Sequence, residues 1–240
     1  MQAKCDAIRE EARKSVEGKP EESCFGFAEL CEAQAQLSRD ASTSPIEALP
    51  MDVIMQQSEE WRVAALSMIN LAFTWCILPL MWAMVPVAPV PKPGKNKHEY
   101  TGYRQISLFA GIMKLYDKLL QLRVQGTLGN KSHQWQGGGL RGADEQAWIL
   151  SRFLEMRKQL GKARTWLAFL DGEAAYCRPP PEVILERIWR CGVCAADWLA
   201  LDSILGHLWS CVKLGVNLSG NGSTKWGCPR AERCHNCCSR

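Results

Sequence analysis

No secretory signal opens these 240 residues: the first twenty are polar and rich in Lys and Glu, so an intracellular protein is expected, in the nucleus or the cytoplasm. Histidine is scarce. His98, His133, His207 and His235 show no paired spacing, which removes a histidine-based metal or nucleophile site from consideration. Ser107 and Ser219 lack the surroundings of a nucleophile elbow, so no hydrolase constellation is visible. Neither Pro (12) nor Gly (19) is abundant enough to indicate a low-complexity chain, and 47% hydrophobic residues suffice for a real core. Charge of one sign is also missing. With 29 Lys and Arg against 25 Asp and Glu the net charge is +4, which permits a nucleic-acid partner without arguing for one.

Long apolar runs are absent with one exception. From Val63 to Val90 there is no charged residue, but Pro79, Pro86 and Pro89 break the run, and Asn70 and Thr74 interrupt its faces. The unbroken part, 63–78, is short of the roughly 20 residues a spanning helix needs. A buried helix followed by an extended segment is expected, with no membrane partner; anchoring through 63–78 is the lesser alternative. What the chain has in quantity is cysteine, twelve residues scattered through it, read as free thiols of a reducing compartment. Cys191-x-x-Cys194 and the cluster Cys228, Cys234, His235, Cys237 and Cys238 raise structural zinc as a rival reading. Cys191 and Cys194 fall between predicted helices with apolar neighbours, which favours packing.

Residues 1–50 read as a leader of loosely attached surface helices, Met1 to Val16 and Cys24 to Arg39. Met51 to Leu78 reads as one helix ended by Pro79, and Val85 to Val90 as an edge strand or extended segment. Pro91-Lys92-Pro93-Gly94-Lys95 is a basic turn, Tyr103 to Leu108 a short strand, and Phe109 to Gln125 a helix by its apolar period. A loop at 136–139 leads to a second amphipathic helix, Ala143 to Leu160. Thr165 to Leu170 is a continuous apolar run read as a buried strand ending at Asp171. Helices over 181–189 and 195–209 and a strand over 212–218 complete an α+β pattern.

An acid at the C-terminal end of a buried strand sits where a metal ion can reach it. Polymerases place carboxylates there because two Mg²⁺ ions must hold a triphosphate and align the attacking oxygen. Gly172 permits close backbone approach, and its carbonyl is a further hard oxygen ligand. The succession Pro91-Lys92-Pro93-Gly94-Lys95, Tyr103-Arg104-Gln105-Ile106-Ser107-Leu108, Lys114-Leu115 through Arg123, Gln136-Gly137-Gly138 with Arg141-Gly142-Ala143-Asp144, and Phe169-Leu170-Asp171 with Ala175-Tyr176 resembles the reverse transcriptases of non-LTR, LINE-type retrotransposons. The resemblance covers about residues 60–220.

That resemblance implies an RNA-directed DNA polymerase whose partners are an RNA template, a DNA primer and deoxynucleoside triphosphates. It implies Asp171 as the first catalytic, Mg²⁺-binding carboxylate, with Gly172 beside it. Lys92 and Arg104 are implied on the triphosphate, Tyr176 as the residue that excludes a 2′-hydroxyl, and Gln136 and Arg141 near the template. Departures are present. Cys177 stands where the family has a further Asp, Leu140 replaces a Phe, and no Asp-Asp pair occurs anywhere in the sequence. After Lys225-Trp226-Gly227-Cys228-Pro229 the family's pattern is not continued.

The architecture expected is an incomplete right-hand polymerase, fingers and the first part of the palm over 51–224. The loose helical leader (1–50) precedes it and an aberrant Cys-rich tail (225–240) follows. With one carboxylate of the set, the chain is expected to be partial and inactive, and a non-catalytic nucleic-acid-binding remnant of the fingers is the alternative. Without partner strands for the palm, apolar faces around Trp166, Phe169 and 212–218 are expected to be exposed.

Overall fold

Helix boundaries follow local chemistry. The computed structural model describes residues 1–18, 23–38, 43–44, 50–55, 58–129, 143–161, 164–170, 179–215 and 217–219. The fourth helix, α4 (Glu59–Trp75), is preceded by α1 (Gln2–Val16), α2 (Phe27–Ala35) and α3 (Met51–Met55). Ser58 caps α4, its hydroxyl accepting from the Trp61 amide at 3.3 Å, with Glu59 and Glu60 on the positive end of the helix dipole. The single helix expected over 51–78 is therefore two, and Pro79 is not its terminator. Cys76 adopts the left-handed conformation at φ 51° and the amides of Cys76 and Ile77 turn back to the Phe73 and Ala72 carbonyls, a Schellman closure three residues before the proline. Among the described residues no helix is long and apolar enough to cross a membrane.

A short helix α5 (Leu80–Ala83) leads directly into β1 (Met84–Pro91), and β2 (Tyr103–Ser107) follows. Next come α6 (Gly111–Leu128), α7 (Ala143–Gln159), α8 (Pro181–Arg190), which starts with Pro at its first position as expected, and α9 (Ala195–His207). The hairpin β3 (Trp209–Leu214) and β4 (Asn217–Leu218) ends the described part. The α+β class stands: the sheet is four-stranded and mixed, ordered β2-β1-β3-β4.

That order corrects the reading of 85–90 as an edge. β1 is interior, antiparallel to β2 and parallel to β3, despite its prolines. The register explains how. β3 lies along Met84 to Val87 and β2 along Val87 to Pro91, so each flank of β1 is open over half its length. The Pro86 carbonyl accepts from the Leu108 amide and the Lys92 amide donates to the Gly102 carbonyl, which turns even-numbered positions toward β2. Pro89 and Pro91 thus present their missing N–H groups on the other flank, past the end of β3, where no ladder bond is lost.

Among the described residues two apolar clusters hold α1, α2, α4, α5, α6, α8 and α9 together. The larger centres on Leu30, Ile69, Phe73, Leu115, Tyr116 and Leu119, from α2, α4 and α6, with Ala200 of α9. The smaller sets Cys5 and Ala12 of α1 against Leu185 of α8 and Trp198 of α9, whose indole N–H donates to the Leu185 carbonyl at 2.9 Å. The loosely packed leader is thereby corrected. Leu30 and Ala33 are fully buried, Arg9 forks onto Asp202 at 2.6 and 2.8 Å, and the Ser44 amide donates to the Phe109 carbonyl. The Ala- and Glu-rich composition marked these segments as helical but hid that each has one continuous buried stripe.

Candidate nucleic-acid interface

The β1–β2 connection is basic and ordered from within. Asn96 takes the His98 amide on its side-chain oxygen at 3.0 Å and donates to Glu99, which also accepts from Thr101. The Tyr103 hydroxyl closes on the Lys97 carbonyl at 2.8 Å. Lys92 is held at both ends: its amide donates to the Gly102 carbonyl at 2.7 Å and its ammonium to the Thr101 carbonyl at 2.9 Å. Gly102 is required here, because a Cβ would collide with the Asn96 carbonyl oxygen. Lys95 and Lys97 ride on the same connection.

Register then decides which side chains share a face. Paired residues point the same way, and alternate residues return to that face. Val90 opposite Arg104, Ala88 opposite Ile106, Met84 opposite Trp209, and Lys213 opposite Leu218 all lie on one face of the sheet. Lys92, paired to Gly102 by the bond above, joins them as the diagonal neighbour of Arg104, a separation of about 7–8 Å. Pro86 and Cys211 are buried at the middle of this face, whereas Val90, Ile106, Trp209 and Leu218 are each a little over two-fifths exposed around it. Arg104 is exposed, and no other described residue holds its guanidinium. The arrangement is an apolar, partly open sheet face with an indole at one end and cations at its margin. Single-stranded nucleic acids are held elsewhere by aromatic platforms for bases and cations for phosphates, the two kinds of group found here.

The basic side chain nearest the body has a different task. Arg123 of α6, part of the Lys114–Arg123 segment in the motif succession, is saturated: it forks onto Glu29 at 2.7 and 2.9 Å and donates to the Ser23 and Cys24 carbonyls. Its guanidinium also lies 4.0 Å over the Phe25 ring and 3.4 Å from Asp197. Glu29 is held below the usual carboxylate range, first by the hydrogen bond from Arg123. Arg123 joins α2, α6 and α9 and has no donor left for a ligand.

Of the residues expected at the site, Lys92 and Arg104 are brought together. Asp171, Gly172, Tyr176, Gln136 and Arg141 lie outside the described residues, and so do the tail cysteines Cys228, Cys234, Cys237 and Cys238 of the rival zinc reading. Among the described residues no three His, Cys, Asp or Glu side chains converge as metal ligands. Cys194 caps α9, its sulfur accepting from the Asp197 amide at 3.5 Å.

The segment leading to Asp171 departs from expectation. Residues 164–170 form no strand, and Trp166, Phe169 and Leu170 are 92%, 81% and 97% exposed. A continuous apolar run becomes a buried strand only beside a partner. None of the described strands pairs with this one. Exposure of Trp166 and Phe169 was expected; the loss of the strand itself was not.

Trp209 and Lys213 were missed as site residues. Placing them on the face of Arg104 requires the parallel β1–β3 pairing, which no local pattern announces. No protein-family model matches the chain, and no curated protein is significantly similar to it.

Proposed function

We propose that the β1–β2–β3 sheet is the nucleic-acid-holding surface of a reverse-transcriptase-type polymerase, with Lys92 and Arg104 on phosphate groups. The observation that carries this reading is their convergence on one open sheet face, from two motifs that the sequence resemblance had named separately. On this reading Asp171 and Gly172 would hold Mg²⁺, which would supply charge stabilisation to the triphosphate, Tyr176 would exclude a 2′-hydroxyl, and Gln136 and Arg141 would meet the template. The 240 residues contain no Asp-Asp pair, and one carboxylate does not hold two metal ions in line. That favours the second reading, binding without synthesis, for the chain as given.

The test is fluorescence anisotropy with a labelled single-stranded RNA across a salt series, with and without Mg²⁺. Lys92→Ala and Arg104→Ala should each weaken binding and lower the slope of log affinity against log salt by about 0.7. Wild-type slopes that neither substitution changes would remove the sheet face from the reading. Extension of a primer by the 240-residue chain, lost in Asp171→Ala, would replace the binding-only reading with an active one.

A further inference from the structure

We propose that the sheet face takes an unpaired strand of RNA, one base of which stacks on the Trp209 indole while Lys92 and Arg104 hold phosphates further along. This step rests on the nucleic-acid reading above and adds to it the state of the ligand. Charge is the first observation. Residues 92–104 set Lys92, Lys95, Lys97 and Arg104 against Glu99 alone, a surplus that makes up most of the chain's net charge of +4. Glu99 is spent inside the connection, where it accepts from Asn96 and Thr101. Such a concentration attracts a polyanion, paired or unpaired.

Trp209 decides between the two. Of the exposed tryptophans among the described residues, Trp75, Trp148, Trp166 and Trp209, only the last lies on the sheet. It is 43% exposed on the face of Arg104, and among the described residues no other ring contacts it. Register fixes its distance from the cations. Trp209 pairs with Met84 and Arg104 with Val90, so they stand on opposite flanks of β1, separated along it by about 20 Å at ordinary strand rise. The β1 positions between them on this face, Pro86 and Ala88, are small. About four nucleotides of extended chain cover this span, the small end of single-strand sites.

Base pairing closes the aromatic half of such a site. In an A-form duplex the bases are stacked on one another, and a side chain on a sheet meets ribose and phosphate. Only an unpaired base, turned out of its stack, offers its face to an indole.

Fluorescence anisotropy of the full chain tests this with a labelled single-stranded RNA of about a dozen nucleotides, the same strand with every base removed, and the same strand annealed to its complement. Trp209→Ala should weaken binding of the intact single strand at least about fivefold, the loss of one stacked base, without changing its salt slope. Binding of the abasic strand and of the duplex should not change, and Trp209→Phe should recover most of the loss. Circular dichroism checks that each variant keeps its fold. Wild-type affinity of Trp209→Ala for the intact strand, with Lys92→Ala and Arg104→Ala still lowering the slope, overturns the proposal and leaves the sheet reading in place. Equal losses on the intact and abasic strands overturn it as well, because a merely structural role moves both. Binding that none of the three alanine substitutions alters, or no binding at all, removes the proposal and the sheet reading together.

Discussion

Gln34, buried, and Arg123, half-buried, show how differently the protein treats polar side chains at its core. Gln34 on α2 is 4% exposed, and neither its amide nitrogen nor its oxygen meets a hydrogen-bond partner. An orphaned buried amide costs about 1–3 kcal/mol. Gln34→Met, similar in shape and apolar, should therefore raise stability by about 1 kcal/mol, read as a higher urea midpoint. A lower midpoint would show that water serves the amide. Arg123 is the opposite case, with partners on every side. Arg123→Met leaves the buried Asp197 and the partly exposed Glu29 without this partner and should cost about 1–3 kcal/mol. The pH dependence has a definite sign. The folded carboxyl of Glu29 titrates below its unfolded value near 4.3, so its contribution is present above that value and lost as pH falls through the folded one. Urea midpoints between pH 6 and pH 3 should fall less steeply in Arg123→Met than in wild type.

Among the elements, the β1–β2 connection is the most sequence-determined. Gly102→Ala forces the backbone away from the Asn96 carbonyl and should cost about 1–3 kcal/mol while weakening RNA binding through Lys92. Unchanged anisotropy and stability would mean that the connection relaxes freely. In α2, Leu30→Ala should cost about 2–5 kcal/mol in chemical denaturation, the penalty of a core position; a change near zero would return this helix to the status of a loose leader.

Legibility in the sequence varied with the range of the interaction. α6, α8 and α9 were readable from apolar period and a proline at the helix start, and β2 from its apolar and aromatic content. The break between α3 and α4 was missed although Ser58, Glu59 and Glu60 carry a helix-start signal, because apolar residues on both sides of this polar stretch also fit one continuous helix. The interior place of β1 was hidden because prolines usually exile a strand to an edge, and only a half-length overlap on each flank lets them stay. Of the site, Lys92 and Arg104 could be named from motifs. Trp209 and Lys213 could not, since they join the face through a pairing far along the chain.

At the scale of the molecule, apolar surface is distributed unevenly. The body buries its helices tightly, whereas α7 and 164–170 carry their large side chains outward. Brief chymotrypsin digestion should therefore cut first at Trp166, Phe169 or Leu170, before any of the aromatic residues of the helical core. Early cutting within α4 or α6 would mean that the body is not the more stable part.

The docking of α1 onto α8 and α9, through Arg9 and Asp202, also orders events in time. As the ribosome releases the chain, α1 emerges well before α8 and α9, its partners. β1 is likewise released early and must await β3 for one of its two flanks. Both closures span most of the described chain, the kind of distant contact that slows folding and lengthens exposure of apolar segments. A nascent chain stalled before α9 thus holds a helix and half a strand without their mates, making the interval until β3 has emerged the one in which chaperone capture matters most.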